Sequence, residues 1–163
     1  MNTNSKLPAF TLPSYEEIPD VGLYLDQTAK YINSFFTEYP QLNVTPSMIA
    51  NYVKLRLVAR VHKKTYNRDQ IACFFLIALS KTVLSMDHIR LMLGSETSLD
   101  HADDYRFFAA CMKSSLETIS TQGSSVPDCA DDAHREMLGK VTVAISHKLF
   151  LDWYFEHTEF PQE

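Results

Sequence analysis

The segment from Thr45 to Leu93 constrains the fold most strongly, because it places two helical patterns on either side of a short basic stretch. It opens on Thr45-Pro46, a hydroxyl residue that can cap a helix and a proline whose missing amide would be unpaired in the first turn. Beyond the basic stretch, residues 71–83 carry few polar side chains, which is typical of a helix buried on all sides. The segment therefore predicts an amphipathic surface helix followed by a central helix.

Apolar spacing and helix-start residues predict that the rest of the chain is also helical. The first predicted helix covers residues 21–37 and is capped by Asp20, and the second covers residues 45–57. The third begins after Asn67, with Gln70 completing a capping box, and a short fourth lies between Ser85 and Gly94. The fifth covers residues 105–119 and the sixth residues 130–155. The fold class expected from this pattern is all-α.

Prolines set the first part of the chain apart. Pro8, Pro13 and Pro19 interrupt helix formation, because proline lacks an amide donor and pushes its predecessor out of the α region. We expect residues 1–20 to form an extended arm, residues 21–94 a domain, and residues 95–163 a C-terminal helical pair that could pack into the same globule.

Positive charge is concentrated in one part of a chain whose net charge is −5. Residues 41–94 hold eight Lys or Arg and two acids, whereas residues 95–163 hold five Lys or Arg and thirteen acids. Between Lys54 and Lys64 there are five basic side chains and no acid. A basic stretch on an acidic body is typical of nucleic-acid binding, although a solvated basic face gives the same pattern.

Composition favours a cytoplasmic protein without a membrane segment. No apolar run approaches the ~20 residues that a membrane span needs, and the first twenty residues have no apolar signal region. The three cysteines, Cys73, Cys111 and Cys129, are odd in number and have no C-x-x-C spacing, which suits reduced thiols.

Motifs for catalysis or for cofactor binding are not found in the sequence. There is no Gly-rich phosphate loop and no nucleophile elbow. Residues 128–134 include metal-ligand side chains without a repeated ligand spacing, and an acid-rich helix start explains them more simply. We therefore expect no enzyme activity, no cofactor and no metal.

Residues 48–58, MIANYVKLRLV, resemble the segment T-I-R-Y-Y-E-R-x-G-L-L of MerR-type regulators. Residues 66–89 resemble the Y-S-x-x-D-L-x-x-L-x-F-I and R-x-L-G-F-S-L-x-E-I that follow it in that family. The stretches LPSYEEIPDVGLYLDQ, TPSMIANYVK and KKTYNRDQIA resemble short, functionally uncharacterised bacterial proteins with a MerR-like helix-turn-helix, over about residues 7–155. The chain departs from the MerR pattern in several places. Ala50 stands where MerR proteins have a DNA-contacting arginine, and Arg56 where they have a turn glycine. The glycine before the Phe-Ser pair is missing, and the link between the first and second helices is longer than usual.

These resemblances imply a winged helix-turn-helix with a small β-wing, hence sequence-specific binding of double-stranded DNA and transcriptional regulation. Helix 45–57 would be the recognition helix and Val58–Tyr66 the wing, read as a short hairpin from its partial alternation. The outward-facing amide and basic side chains of helix 45–57 can read base edges in the major groove. The expected base-reading residues are Asn51, Lys54 and Arg56, and the expected phosphate contacts are Ser47, Arg60, Lys63, Lys64 and Tyr66.

The last helix carries two apolar faces, one of them with Phe150, Trp153 and Tyr154, so it needs two neighbours. The MerR resemblance implies a homodimer formed through this helix, and a monomer that wraps the helix around itself is the alternative. Two other functions remain open: a protein-interaction module that lacks DNA binding, and a sensor with a small-molecule effector. The predicted effector pocket lies between the last two helices and includes Tyr105, Phe108, Met112 and Trp153.

Overall fold

The structure is a computed structural model that describes residues 7–59, 63–94, 101–121 and 132–157. These residues are mostly helical, which confirms the all-α expectation at that level. The elements are strand β1 (Leu23–Tyr24), helix α1 (Leu25–Asn33), α2 (Pro46–Lys54), strand β2 (Thr65–Tyr66), α3 (Arg68–Ser80), α4 (Met86–Leu93), α5 (His101–Thr121) and α6 (Ala133–His157).

Three predicted helix starts are confirmed by hydrogen bonds at the caps. The Thr45 hydroxyl accepts from the Met48 amide at 3.1 Å, and the Ser85 hydroxyl accepts from the His88 amide at 3.2 Å. Asn67 and Gln70 form a reciprocal capping box at the start of α3. Gly94 ends α4 with a φ of 75°, a left-handed value that glycine adopts without steric penalty.

The first predicted helix is shorter than expected, and its start at Asp20 is wrong. Helix α1 begins only at Leu25, because Leu23–Tyr24 instead pair antiparallel with Thr65–Tyr66 as β1 and β2. Tertiary pairing with a distant segment thus overrides the local helical spacing. The Gly22 backbone lies so close to β2 that a Cβ there would be 2.4 Å from the Thr65 Oγ1.

The predicted hairpin over Val58–Tyr66 is only partly described. Its last two residues, β2, pair with β1 from before α1 rather than with a described residue of the hairpin. Residues 60–62 lie outside the described part of the chain.

Helix α3 is the centre of the core, as its apolar sequence predicted. All residues from Gln70 to Ser80 are buried. The Phe75 ring contacts rings on both sides: it meets Phe36 of the segment after α1 at 6.0 Å and Tyr105 of α5 at 6.2 Å, centroid to centroid. The buried Gln70 amide is satisfied, because its Nε2 donates to the Ala59 carbonyl at 2.9 Å.

The arm lies on this core and is held by side chains of α3 and α5. The Tyr105 hydroxyl donates to the Pro13 carbonyl at 2.7 Å, and Arg68 Nε donates to the Ile18 carbonyl at 2.8 Å. Residues 15–17 form a single 3₁₀ turn capped by Ser14. None of the described helices is long and apolar enough to cross a membrane.

Two buried tyrosines give a matched stability test. The Tyr52 hydroxyl is buried without a partner among the described residues, whereas the Tyr105 hydroxyl is bonded to the arm. Removing an unsatisfied hydroxyl removes a desolvation penalty, so we expect Tyr52→Phe to raise the free energy of unfolding by about 1 kcal/mol. Tyr105→Phe should lower it by about 1 kcal/mol, since a satisfied hydrogen bond is lost. Urea unfolding of the two variants and the parent measures both, and a loss of stability in Tyr52→Phe would contradict the assignment.

Candidate nucleic-acid interface

Helix α2 presents a face of small, polar and basic side chains to solvent. Ser47, Ala50, Asn51 and Lys54 are exposed, whereas Ile49 and Tyr52 between them are buried. This division follows from helical geometry, because residues three and four apart share a face. The predicted surface helix is therefore confirmed as a solvent-facing element, although it ends at Lys54 rather than at Leu57.

The end of α2 is a Schellman motif with Arg56 in the left-handed conformation. The Leu57 amide donates to the Tyr52 carbonyl at 3.0 Å, and the Arg56 amide donates to the Val53 carbonyl at 3.0 Å. Arg56 has a φ of 58°, in the region where glycine is usual. Arg90 of α4 holds the same end, because its Nη2 donates to the Leu55 carbonyl at 2.9 Å.

Lys63 and Lys64 form a turn immediately before β2, and both are exposed. Their φ values are 59° and 63°, and two consecutive positive φ values are the feature that makes type I′ turns favour Asn-Gly. The predicted phosphate-contacting residue Arg60, three positions earlier, lies outside the described residues.

The aromatic ring of Phe74, on α3, joins α2 to β2. The Tyr52 ring of α2 lies 6.5 Å from it and the Tyr66 ring of β2 lies 5.2 Å from it, centroid to centroid. The exposed face of α2 and the lysine turn are thus carried by elements anchored on one buried ring. Tyr66 is only 5% exposed and burial raises the pKa of its hydroxyl, so we assign it a packing role and leave it out of the candidate surface.

The cations of this surface are not neutralised by nearby acids. Lys54, Arg56, Lys63 and Lys64 have no ion-pair partner within the part of the chain that the structure describes. Five other Lys and Arg residues do have partners: Arg90 pairs with Asp87, Arg106 with Glu16 and Asp103, Arg135 with Asp132, Lys140 with Glu136, and Lys148 with Asp152. Within the described residues Lys30, Arg68, Lys81 and Lys113 also lack an ion pair, so the absence of a partner is not confined to this surface. Ammonium and guanidinium groups without an ion-pair partner are available to attract phosphate.

The backbone is strained at three of the four basic residues of this surface. Among the described residues, the non-glycine positions with positive φ are Arg56, Lys63 and Lys64, all of them basic. A left-handed conformation disfavours an L-residue by roughly 1–2 kcal/mol. Strain held where glycine or asparagine would relieve it points to a function for the side chains. The sequence shows only the missing glycine at Arg56, since positive φ at the two lysines has no local sequence signal.

Two of the four residues predicted to form an effector pocket line one cavity. Tyr105 and Met112 line a cavity of about 340 Å³ between α5 and the arm, whose lining does not include Phe108 or Trp153. Phe108 is buried in the core, and Trp153 stacks on His157 of α6 with ring centroids 5.1 Å apart. That the arm forms the second wall of this cavity was not predicted from the sequence. The alternating apolar residues Phe10 and Leu12 were a signal that the arm packs on the core.

Metal-ligand side chains do not cluster in the described residues in a way that could hold an ion. At the start of α6, the Asp132 carboxylate instead accepts from the His134 amide at 2.9 Å, as a helix cap does. The His134 Nε2 lies 3.1 Å from the Asp104 carboxylate, which links α6 to α5.

Residues 13–113, well over half of the chain, match a family described as Domain of unknown function (DUF1836). The chain belongs to this family. The matched segment begins in the arm and ends on α5, so it contains both the basic surface and most of the arm–α5 cavity. No curated protein and no solved structure matches the chain.

Arg56→Gly tests whether the end of α2 is strained. Glycine relieves the left-handed strain, so we expect the free energy of unfolding to rise by up to about 1 kcal/mol. Ala50→Gly is the control: at an exposed position in the interior of α2, glycine should lower the stability by about 1 kcal/mol. Thermal unfolding distinguishes the two, and equal destabilisation by both glycines would show that Arg56 is not strained.

Proposed function

We propose that the chain binds double-stranded DNA through the exposed face of α2 and the Lys63-Lys64 turn, and that it acts as a transcriptional regulator. The observation that carries this proposal is the coincidence of strain and unpaired charge at Arg56, Lys63 and Lys64. Phosphate binding is a reason to keep cations in backbone positions that favour glycine, because a charge-assisted contact at each can offset the strain. The resemblance to MerR-type regulators supports the same function.

In this proposal α2 enters the major groove. Asn51 can form two hydrogen bonds with adenine, and Lys54 can bond guanine or a phosphate. The Ala50 methyl group can contact the methyl group of thymine, which an arginine could not do at this position. Ser47, in the first turn of α2, can donate to a phosphate beside the helix N-terminus.

In this arrangement Arg56, which the sequence predicted to read bases, binds phosphate instead because it lies beyond the end of α2. The two lysines of the turn bind phosphates as well. They fix the orientation of α2 on the duplex but do not read sequence. Tyr52 and Tyr66 pack α2 and β2 on the same Phe74 ring, so the reading helix and the strand after the phosphate-binding turn share one buried support.

We further propose a homodimer formed through α6, because a two-fold dimer would read two half-sites. Near the end of α6, Leu151 and Phe155 are 45% and 56% exposed, and they are four residues apart on one helical face. Leu151→Lys/Phe155→Lys should shift the protein from dimer to monomer in sedimentation experiments. Glu156→Lys, a charge change beside the same face, should leave the dimer intact. A monomeric parent protein would disprove this part.

A second candidate function is a protein-interaction module on the same scaffold. Two observations favour it: Ala50 replaces the arginine expected from the resemblance, and the chain has a net charge of −5. The basic surface would then bind an acidic segment of another protein rather than DNA.

The deciding experiment uses Arg56→Gly/Lys63→Asn/Lys64→Gly, which removes three cations and replaces them with residues that suit the local backbone. Affinity for a pool of random-sequence DNA duplexes is measured by fluorescence anisotropy over a series of salt concentrations. Each lost phosphate contact should reduce the log–log salt slope by about 0.9, so the three changes should reduce it by up to roughly 2.7. The melting temperature should stay the same or rise, so that weaker binding cannot be attributed to unfolding.

The matched control is Arg135→Gln/Lys140→Gln/Lys148→Gln, which makes the same change in net charge on α6. This variant should retain most of the salt slope of the parent. Equal slopes for the parent and the α2-turn variant would place any DNA contact elsewhere. If the parent does not bind DNA at low salt, the DNA proposal is wrong and the protein-interaction function takes its place.

A further inference from the structure

We propose that the cavity between the arm and α5 is a binding site for a small carboxylate with an apolar body, such as a medium-chain fatty acid or an arylalkanoate. The cavity is formed by residues 10–17 of the arm and by one side of α5 from Tyr105 to Leu116. It lies apart from the candidate DNA surface, and this proposal does not depend on DNA binding.

The cavity exists because small side chains lie opposite a tethered arm. Ala109 and Ala110 line α5 where the arm crosses it, and they leave space that larger residues would fill. The arm cannot close this space freely, since the Pro13 carbonyl is bonded to Tyr105 and the Glu16 carboxylate accepts from Arg106 Nε at 3.1 Å. The Tyr15 hydroxyl also donates to Asp69 of α3.

The volume of about 340 Å³ suits a small ligand. Ligand pockets are usually about 300–1,000 Å³, so this cavity is at the lower end of that range. At roughly 30 Å³ for each water-sized heavy atom, it holds about ten heavy atoms. The walls are mainly apolar and include Phe10, Leu12 and Met112, which favours an alkyl chain or an aryl ring over a sugar or a nucleotide.

The charged residues of the lining select a carboxylate. Arg106 is engaged by Glu16 and Asp103, and its guanidinium lies over the Tyr15 ring. The Glu17 carboxylate accepts from the Ser14 amide at 2.7 Å. Lys113 lines the cavity, is exposed, and has no ion-pair partner among the described residues. An ammonium group beside an apolar cavity is suited to bind the head of an amphiphilic acid.

The test is a calorimetric titration of the full chain with octanoate, which has ten heavy atoms, and with octan-1-ol and octyltrimethylammonium as neutral and cationic counterparts. We expect saturable binding of octanoate, weaker binding of the alcohol, and the weakest binding of the cation. Ala110→Leu fills the cavity from an exposed helical position and should weaken octanoate binding at least about tenfold. Ala144→Leu makes the same change at an exposed alanine of α6 that lines a different cavity, and it should change the affinity less than twofold.

The role of Lys113 is tested separately. Lys113→Gln should weaken octanoate binding by about tenfold and leave octan-1-ol binding unchanged. Amide hydrogen exchange locates the site without any variant: octanoate should slow exchange in residues 10–17. Absence of octanoate binding, equal binding by the parent and Ala110→Leu, binding of the cation as tight as that of octanoate, or unchanged exchange in the arm would each overturn the proposal.

Discussion

The complete burial of α3 is the constraint on which the other elements depend. A helix that is apolar on every side must be covered on every side, and in this chain α1, α4, α5 and α6 all contact it. Two consecutive phenylalanines of α3 make contacts on different sides of the helix. Phe74 packs against Tyr52 of α2 and Tyr66 of β2, and Phe75 packs against the α1 region and Tyr105 of α5. A single helix turn thus connects the basic surface to the arm–α5 side of the molecule.

The backbone is relaxed at the ends of the core helices and strained at the basic surface. Buried and capped elements follow the usual preferences: hydroxyl and amide side chains cap α2, α3 and α4, and the glycine with positive φ ends α4. Left-handed non-glycine residues occur, within the described chain, only at the basic surface. Glycine or asparagine would adopt such positions with less strain than arginine or lysine. This contrast is the physical basis for treating Arg56, Lys63 and Lys64 as functional residues.

The arm forms one wall of a cavity against α5. Its apolar residues cover α5, and its backbone is bonded to α3 and α5 by Arg68 and Tyr105. Burial and the neighbouring Asp69 raise the pKa of Tyr15 to about 12, so this tyrosine remains a neutral donor to Asp69 over the physiological range. Through residues 18–22 the arm leads directly into β1, which pairs with the strand that follows the lysine turn. The arm and the lysine turn are therefore connected through the hydrogen-bonded pair of strands β1 and β2.

The sequence by itself determined the helix starts at Thr45, Asn67 and Ser85, the central position of α3, and the location of the positive charge, because caps, apolar periodicity and charge runs act within a few residues. The tertiary structure alone decided that residues 23–24 form a strand, that Tyr66 is buried, and that the arm and α5 line a common cavity. Each of these depends on segments far apart in the chain. A pairing between distant strands, or a gap left by two alanines beneath a tethered arm, has no local pattern from which it could be predicted.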